Sequence, residues 1–188
     1  MKMFYEITAR THVRVPPALL ENDTEQSVLK RLNETFEGYI SSDVGFIVLV
    51  TEVMNVGDGT IIPGDGAPYY DTEFKMITYL PEMQEIVLGK ISDITNFGAF
   101  LNMGVVDGMI HVSQTMDDFV SFNKTKVLSG KDTKQNLKVG DLCRARVIAI
   151  SYKDLANPKI GLTMRQPTLG NVKWAEEEKK KKKSKKEE

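Results

Sequence analysis

The stretch from Leu88 to Gln114, LGKISDITNFGAFLNMGVVDGMIHVSQ, decides how the second half of the chain is interpreted. An alternating strand pattern runs into Asn96-Phe97-Gly98-Ala99-Phe100, and after Gly104 a second strand pattern ends at His111. Two aromatic residues therefore bracket a glycine on one strand, and a histidine closes the next. Small β-barrels present stacking groups to single-stranded nucleic acid in this way. The stretch predicts a barrel that contacts single-stranded RNA.

The sequence around this motif predicts the other strands of the barrel. Five short strands with glycine-marked corners predict an OB-fold β-barrel over residues 81–170. The segment 116–136 is longer than a minimal connection, and two short strand patterns within it form a candidate inserted hairpin, Phe119–Phe122 with Lys126–Leu128. The five barrel strands are predicted at Glu85–Ile94, Gly98–Leu101, Gly108–Val112, Leu142–Ser151 and Lys159–Met164.

Residues 1–80 have a mixed strand and helix pattern. Met3–Val15 alternates as a strand, and Gly45–Val50 and Asp71–Leu80 predict two more strands. Between the first two, an N-cap at Asn22, Asp23 or Thr24, an apolar stripe and Gly38 at the C′ position predict a helix. The order strand, helix, strand, strand predicts an α+β domain with a helix on one face of its sheet. The stripe consists of Val28, Leu29, Leu32 and Phe36.

A segment rich in glycine, aspartate and proline, Gly57 to Pro68, joins the last two of these strands. Its composition predicts tight turns with positive φ angles. It contains no lysine and no Gly-Lys-Ser/Thr ending, and no helix signal follows, so a phosphate-binding loop is a poor alternative. Two interpretations remain: a plain hairpin connection, or a rigid protein-docking tip that exposes Ile61-Ile62.

The net charge of −1 is unevenly distributed. Residues 1–80 carry a net charge of −6, residues 81–170 of +2, and residues 171–188 of +3. The acidic part therefore suits protein docking, and the barrel is the better candidate for RNA binding. The tail, 171–188, ends in a lysine-rich run without apolar residues. It predicts a frayed helix or a disordered segment, either simply solvated or in weak electrostatic contact with nucleic acid.

Several classes of protein are excluded by composition. No apolar run approaches the ~20 residues of a membrane span, and the N-terminus lacks an export signal. The single cysteine, Cys143, precludes an internal disulfide, fits a reducing compartment and is predicted to be buried on a strand. These features predict a cytoplasmic protein that does not interact with membranes.

No catalytic constellation is present in the sequence. The only histidines, His12 and His111, lie far apart, and no Cys, His and carboxylate cluster has metal-ligand spacing. Asp117-Asp118 are consecutive, so on a strand they point to opposite faces. The sequence predicts no active site, no metal and no cofactor.

Three kinds of side chain form the predicted RNA-binding set. Phe97 and Phe100 stand three residues apart, so on a regular strand without a bulge one ring faces the core and one the solvent. We expect Phe97 to be the exposed ring. His111 either contacts a base or phosphate or stabilises the adjacent turn. Arg144 and Arg146 leave the barrel on one side, where they either contact phosphate or stack on a base, or simply form a solvated face.

Five motifs spread along the chain carry a resemblance to a known family. The chain resembles the larger stalk subunit of archaeal DNA-directed RNA polymerase, the counterpart of the seventh subunit of eukaryotic RNA polymerase II. Its barrel resembles the RNA-binding domain first described in ribosomal protein S-one, which occurs in many proteins. The motifs are Val13–Pro17 (VRVPP), Asp43–Phe46 (DVGF), Pro63–Gly66 (PGDG), Ile110–Asp118 (IHVSQTMDD) and Leu162–Pro167 (LTMRQP).

The resemblance implies a truncated RNP-like fold for residues 1–80. It also implies that the glycine-rich segment docks on the polymerase core near the clamp and that a small helical stalk subunit pairs with the chain. The barrel would meet nascent single-stranded RNA and modulate initiation, elongation and termination, with transcription initiation factors as further candidate partners. The implied core-docking residues are Gly57, Asp58, Gly59, Ile61, Ile62, Pro63, Gly64, Asp65 and Gly66.

Two other classes of protein fit parts of the pattern. A translation or RNA-decay factor carries the same kind of barrel, but such proteins usually join it to repeats or helical domains. The glycine-rich segment and the short junction at Pro81-Glu82 argue against that class. A nuclease needs clustered acidic metal ligands, which the sequence lacks.

Overall fold

The computed structural model describes residues 3–20, 23–123, 125–154 and 158–174. The chain divides into two compact units that join between Leu80 and Pro81. None of the helices in these ranges has the length and apolar character that crossing a membrane requires. The lysine-rich run predicted as a tail lies outside the described residues.

The first unit is a four-stranded antiparallel sheet with one α-helix and a short 3-10 helix, Pro17–Leu19. The sheet order is β1-β4-β3-β2. The predicted order of strand, helix, strand, strand is found, with the two-residue strand β2 added between the helix and β3. The helix has Asp23 as N-cap, and Gly38, with a φ of 76°, lies just beyond its end. The elements are β1 (Phe4–Arg14), α1 (Thr24–Phe36), β2 (Ile40–Ser41), β3 (Gly45–Ile61) and β4 (Pro68–Tyr79).

The core of this unit lies between α1 and one face of the sheet. Val28 and Leu32 of the helix are buried in one cluster with Val50 and Phe74 of the sheet. Asn33 ties the helix to β3, because its side-chain oxygen accepts the Val50 backbone N–H at 2.9 Å. That bond lies where the β3–β4 ladder shifts in register, so the helix supplies an acceptor beside an irregular part of the sheet.

The prediction of turns throughout Gly57 to Pro68 is wrong for its first five residues. Strand β3 continues to Ile61, which pairs with Pro68, and only residues 62–67 form the connection. Strand β2 has two residues, so this part of β3 is an edge strand, and a register shift between Val56 and Gly59 accommodates the glycines. A Cβ at Gly59 would lie 2.9 Å from the Tyr70 ring, so this ring would have to move to admit any larger residue.

The second unit is the predicted five-stranded OB barrel. Strands β12-β7-β6-β5-β11 are neighbours in that order, and β11 also pairs with β12, which closes the barrel. Strand β12 runs parallel to β7, and the other barrel pairs are antiparallel. The strands are β5 (Ile86–Thr95), β6 (Gly98–Asn102), β7 (Asp107–His111), β8 (Val120–Asn123), β9 (Val127–Gly130), β10 (Asn136–Lys138), β11 (Leu142–Ser151), β12 (Lys159–Thr163) and β13 (Gly170–Asn171).

The segment between β7 and β11 contains the predicted inserted hairpin, with a third strand added. Strands β8, β9 and β10 form a small antiparallel sheet. Leu128 and Leu137 are fully buried partners within it. Lys126, in the β8–β9 turn, pairs with Asp93 of β5 at 2.7 Å, so the insertion is tied to the barrel wall.

The folded unit extends beyond residue 170, which corrects the predicted start of the tail at 171. Strand β13 pairs with Cys143 and Arg144 at the start of β11, and Trp174 packs against Gly170. Cys143 is fully buried, as predicted. Burial, and secondarily the charge of Asp141, raises the pKa of the Cys143 thiol to about 12, so it remains protonated at neutral pH.

Candidate nucleic-acid interface

The predicted aromatic pair lies at the start of β6. On that strand Ala99 and Leu101 are fully buried, and Phe100, between them, points away from the barrel core. Phe97 lies in the turn between β5 and β6 and is 47% exposed. The alternation of β6 therefore places Phe100 on the outer surface, and the preceding turn places Phe97 beside it.

The two rings meet edge to face, with centroids 6.2 Å apart and an interplanar angle of 89°. The expectation that Phe97 is exposed is correct, but the expectation that Phe100 enters the core is wrong. That expectation placed both residues on one regular strand. Because Phe97 belongs to the turn, strand alternation does not apply to the pair. Two perpendicular rings form one aromatic surface.

Phe100 lines an open groove of about 660 Å³ on the barrel. Met109 of β7 lies directly opposite Phe100, and Gly161 of β12 lies opposite Met109 on its other side. Ile148 of β11 and Lys159 of β12 also line the groove. The lining is largely apolar, and it includes the Phe100 ring, the Lys159 side chain and one carboxylate, Asp107, which accepts hydrogen bonds from Ser92 and Asn102. Such a surface suits a planar base.

His111 lines the same groove and also stabilises the adjacent turn. Its Nδ1 accepts the Ser113 backbone N–H at 3.3 Å and lies 2.8 Å from the Ser113 hydroxyl oxygen. A backbone N–H can only donate, so in the neutral ring the hydrogen lies on Nε2. The two interpretations of His111 are therefore compatible, because the turn fixes a tautomer that leaves a donor for a ligand.

The structure does not bring Arg144 and Arg146 to the aromatic pair. Both leave β11 on the outer side, as predicted, because the alternate residues of the strand are fully buried. Arg144 lies opposite Leu88 of β5, however, whereas Phe100 lies opposite Asp93. Leu88 and Asp93 are five residues apart along β5, a distance of about 16 Å. Arg146 is half-buried, with its Nε shielded from solvent.

Sequence reasoning missed several residues of the groove. Met109 and Lys159 could have been predicted, since Met109 alternates with His111 on β7 and Lys159 begins a predicted strand. Ile148 could not have been predicted, because the register of β11 against β12 shifts between Val147 and Ala149. A bulge of this kind changes which residues face outward without a clear signal in the sequence.

The tip of the β3–β4 hairpin exposes two large apolar side chains. Ile61 is 67% exposed and Ile62 is 48% exposed. Of the other predicted docking residues, Pro63, Gly64 and Gly66 lie with them in the turn or next to it, whereas Gly57, Asp58 and Gly59 lie in β3. The exposed isoleucines are thus carried by a hairpin whose strands are paired up to the turn.

Asp65 holds this turn in place. Its carboxylate accepts two hydrogen bonds from the Arg14 guanidinium of β1, at 2.7 and 2.8 Å, and one from the Tyr69 hydroxyl at 2.9 Å. The Ala67 backbone N–H also donates to it, at 3.3 Å. The hydrogen bonds from Arg14 and then Tyr69 hold the pKa of Asp65 well below its usual range. Hydrogen bonds to the Asp65 carboxylate from Arg14 of β1 and Tyr69 of β4 therefore fix the turn at the tip of the hairpin.

This depressed pKa defines the pH range over which the contact acts. A carboxylate with a lowered pKa in the folded state stabilises that state above its unfolded pKa, near 4. The stabilisation disappears only as the pH falls through the lower pKa of the folded state. The Arg14–Asp65 contact therefore persists at neutral pH and into mild acid.

The consecutive carboxylates Asp117 and Asp118 have separate structural partners. Asp117 pairs with Arg165 at 2.7 Å. Asp118 accepts hydrogen bonds from the backbone and hydroxyl of Thr133, and these bonds lower its pKa. Among the described residues, no group of three or more His, Cys, Asp or Glu side chains could hold a metal ion.

Comparison with known proteins assigns both units. Residues 10–66 match the SHS2 domain found in the N terminus of Rpb7p/Rpc25p/MJ0397, and residues 80–155 match the S1 RNA binding domain. The chain is 36% identical over 174 residues to DNA-directed RNA polymerase subunit Rpo7 of Saccharolobus shibatae, covering 92% of this chain and 97% of that one. The chain belongs to the Rpo7 family. The resemblance indicated by the sequence motifs is thereby confirmed.

More distantly related proteins match either most of this Rpo7-family chain or a smaller part of it. It is 23% identical over 159 residues to DNA-directed RNA polymerase III subunit RPC8 of Bos taurus, covering 81% of this chain and 78% of that one. It is 34% identical over 73 residues to small ribosomal subunit protein bS1 of Helicobacter pylori, covering 39% of this chain and 11% of that one. The likeness to Rpo7 extends over both units, which sets aside a translation or RNA-decay factor.

Proposed function

We propose that this Rpo7-family chain is a non-catalytic stalk subunit of RNA polymerase that holds emerging single-stranded RNA on its S1 barrel. The observation that carries the RNA-binding part is the Phe97–Phe100 ring pair at the edge of the apolar groove. When two rings meet edge to face, a base can stack on the exposed face of one ring while the other ring supports the first. The His111 and Lys159 side chains line the same groove and would supply a hydrogen-bond donor and a positive charge.

The hairpin tip is the proposed contact with the polymerase core. Ile61 and Ile62 are large, exposed and adjacent, and exposed apolar groups on a rigid turn are suited to a pocket on a partner. The acidic character of residues 1–80 supports protein docking over RNA binding in this unit. The core, near its clamp, is the proposed recipient of this tip.

A small helical stalk subunit is the proposed second partner, and the pair would modulate initiation, elongation and termination. Co-expression of the two chains, followed by gel filtration at micromolar concentration, tests this pairing. We expect a single peak that contains both chains at equal amounts. Separate elution of the two chains would contradict the pairing and leave the RNA-binding proposal to be judged on its own experiments.

The Arg14–Asp65 contact provides a test of whether the tip must be held rigid for docking. Arg14→Asp and Asp65→Arg are each expected to weaken association with the polymerase core by about fivefold, the upper range for a surface ion pair. The double exchange should recover part of that loss, because it restores opposite charges. Biolayer interferometry on immobilised polymerase core measures the affinity of the two single variants and of the double exchange.

The ion pair between Arg10 and Asp71 is a matched control for this experiment. It joins β1 to β4, whereas the Arg14–Asp65 pair joins β1 to the turn. Arg10→Asp should therefore leave core association unchanged within about twofold, because the tip keeps its own contacts. Equal losses for Arg10→Asp and Arg14→Asp would show that charge, not the position of the tip, controls docking.

A further inference from the structure

A second groove of the barrel unit lies between the turn that precedes β10 and the residues that follow β13. It has a volume of about 300 Å³, and Lys134, Lys138, Lys173 and Trp174 are among the residues that line it. Its remaining side chains are mainly uncharged and polar, with Asp141 as the carboxylate. Three lysines and one tryptophan therefore line one depression.

Asp141 organises the groove and leaves it with a positive excess. Its carboxylate accepts the Lys138 backbone N–H at 2.9 Å and lies 3.8 Å from the Lys173 ammonium. The Asp141 side chain is 15% exposed, so its charge is mostly covered by these contacts. Within the described ranges, neither Lys134 nor Lys138 has a side-chain ion pair, which leaves two ammonium groups to meet an anion.

Trp174 supplies a planar surface beside these charges. Its ring lies against Gly170, where an added Cβ would come within 2.9 Å of the indole, so the ring position depends on that glycine. The Asn171 side chain accepts the Lys173 backbone N–H at 3.0 Å and fixes the turn that carries the indole. Indole and ammonium groups together match the two parts of a nucleotide, a base and a phosphate.

This groove is separate from the one at Phe100. Strand β13 pairs with Cys143 and Arg144 at the start of β11, whereas the first groove uses Ile148 further along that strand. Four residues of strand, about 13 Å, separate Arg144 from Ile148. Residues 171–174 also lie beyond the 80–155 range that matches the S1 domain.

We propose that this second groove binds the phosphates and one base of single-stranded RNA, extending the RNA path beyond the first groove. Lys134, Lys138 and Lys173 contact phosphates, and a base stacks on Trp174. The proposal rests on RNA binding by the barrel, and it commits to RNA over an acidic protein because of the indole. The sequence after Trp174 carries seven lysines and five glutamates, a net charge of +2.

The protein offers its own probe, because Trp174 is its only tryptophan. Titration of the full chain with single-stranded RNA of about 15 nucleotides, the upper range of site size for such a barrel, should quench the tryptophan fluorescence. An RNA of about 4 nucleotides, the lower end of that range, should bind mainly at the first groove and quench less. Absence of quenching at saturating long RNA would overturn the proposal.

Neutralising substitutions test the phosphate contacts. Lys138→Gln with Lys173→Gln should reduce the slope of log K against log salt by about 1.4 for the long RNA, about 0.7 for each phosphate contact. The control variant, Lys30→Gln with Lys90→Gln, removes the same charge from residues that line neither groove, and should retain the slope. Equal slopes for the two double variants would overturn the assignment.

Two further outcomes separate this site from the alternatives. Phe97→Ala with Phe100→Ala should weaken binding of the long RNA yet preserve quenching at saturation. RNA binding by the native chain without any quenching would refute the second groove alone, whereas absence of all RNA binding would refute the proposed function as well. Polyglutamate of matched charge should neither quench Trp174 nor displace the RNA. Equal quenching by polyglutamate would reassign the groove to acidic proteins.

Discussion

Replacing Phe97 and Phe100 together with alanine is expected to weaken binding of single-stranded RNA by about tenfold to a hundredfold or more. A base stacked on an aromatic side chain contributes roughly 1–3 kcal/mol, and 1.4 kcal/mol corresponds to a factor of about ten. The two rings contact each other, so removing both eliminates the whole aromatic surface. Fluorescence anisotropy at fixed salt measures the loss.

Phe119→Ala is the matched control for this prediction. Phe119 is 76% exposed in the same unit but does not line the groove at Phe100. Its removal should change RNA affinity by less than about twofold. Neither Phe97 nor Phe100 is in the buried core, so the midpoint of thermal unfolding should fall little. Unchanged RNA affinity in the folded double variant would refute the proposed binding surface.

Ile61→Asp combined with Ile62→Asp is expected to reduce association with the polymerase core by about a hundredfold or more. Buried apolar anchors at interface centres commonly contribute about 2 kcal/mol or more each, and a buried carboxylate adds a desolvation cost. Both side chains are exposed in the free chain, so the fold should be retained. A competition assay measures the loss of affinity: the double variant competes with the parent chain for purified polymerase core.

Leu20→Asp serves as the control for the hairpin variant. Leu20 is also exposed in the first unit, at 44%, but lies outside the β3–β4 hairpin. It should bind the core nearly as well as the parent chain. RNA affinity should be unchanged in both variants, since the groove belongs to the other unit. Retained core binding in the isoleucine double variant would move the docking site away from the tip.

Local patterns predicted the elements of the fold well. Alternation and capping identified strand β1, helix α1 and the five barrel strands, because a strand or helix with one buried face imposes its period on the sequence. The β3 extension from Gly57 to Ile61 was missed. Its stability as a strand depends on pairing with residues near Tyr70, and composition alone favoured turns.

The candidate site was predicted less completely, for reasons of register. The sequence identified Phe97, Phe100 and His111, which the structure brings to one surface. It grouped Arg144 and Arg146 with them, but the pairing of β5 with β11 places Arg144 about 16 Å along the strand. Local sequence patterns also could not predict contacts between residues that lie far apart in the sequence. Arg14 and Asp65, for example, are 51 positions apart.

The central claim, that the barrel holds emerging RNA at the Phe97–Phe100 surface, is tested most directly by site-specific crosslinking in a transcribing complex. The chain would carry a photoreactive phenylalanine analogue at position 97 and be assembled with the small stalk subunit and the polymerase core. We predict a crosslink to nascent RNA once the transcript leaves the core, and none from the same analogue at position 119. Absence of the crosslink at position 97, or equal crosslinking from both positions, would contradict the account.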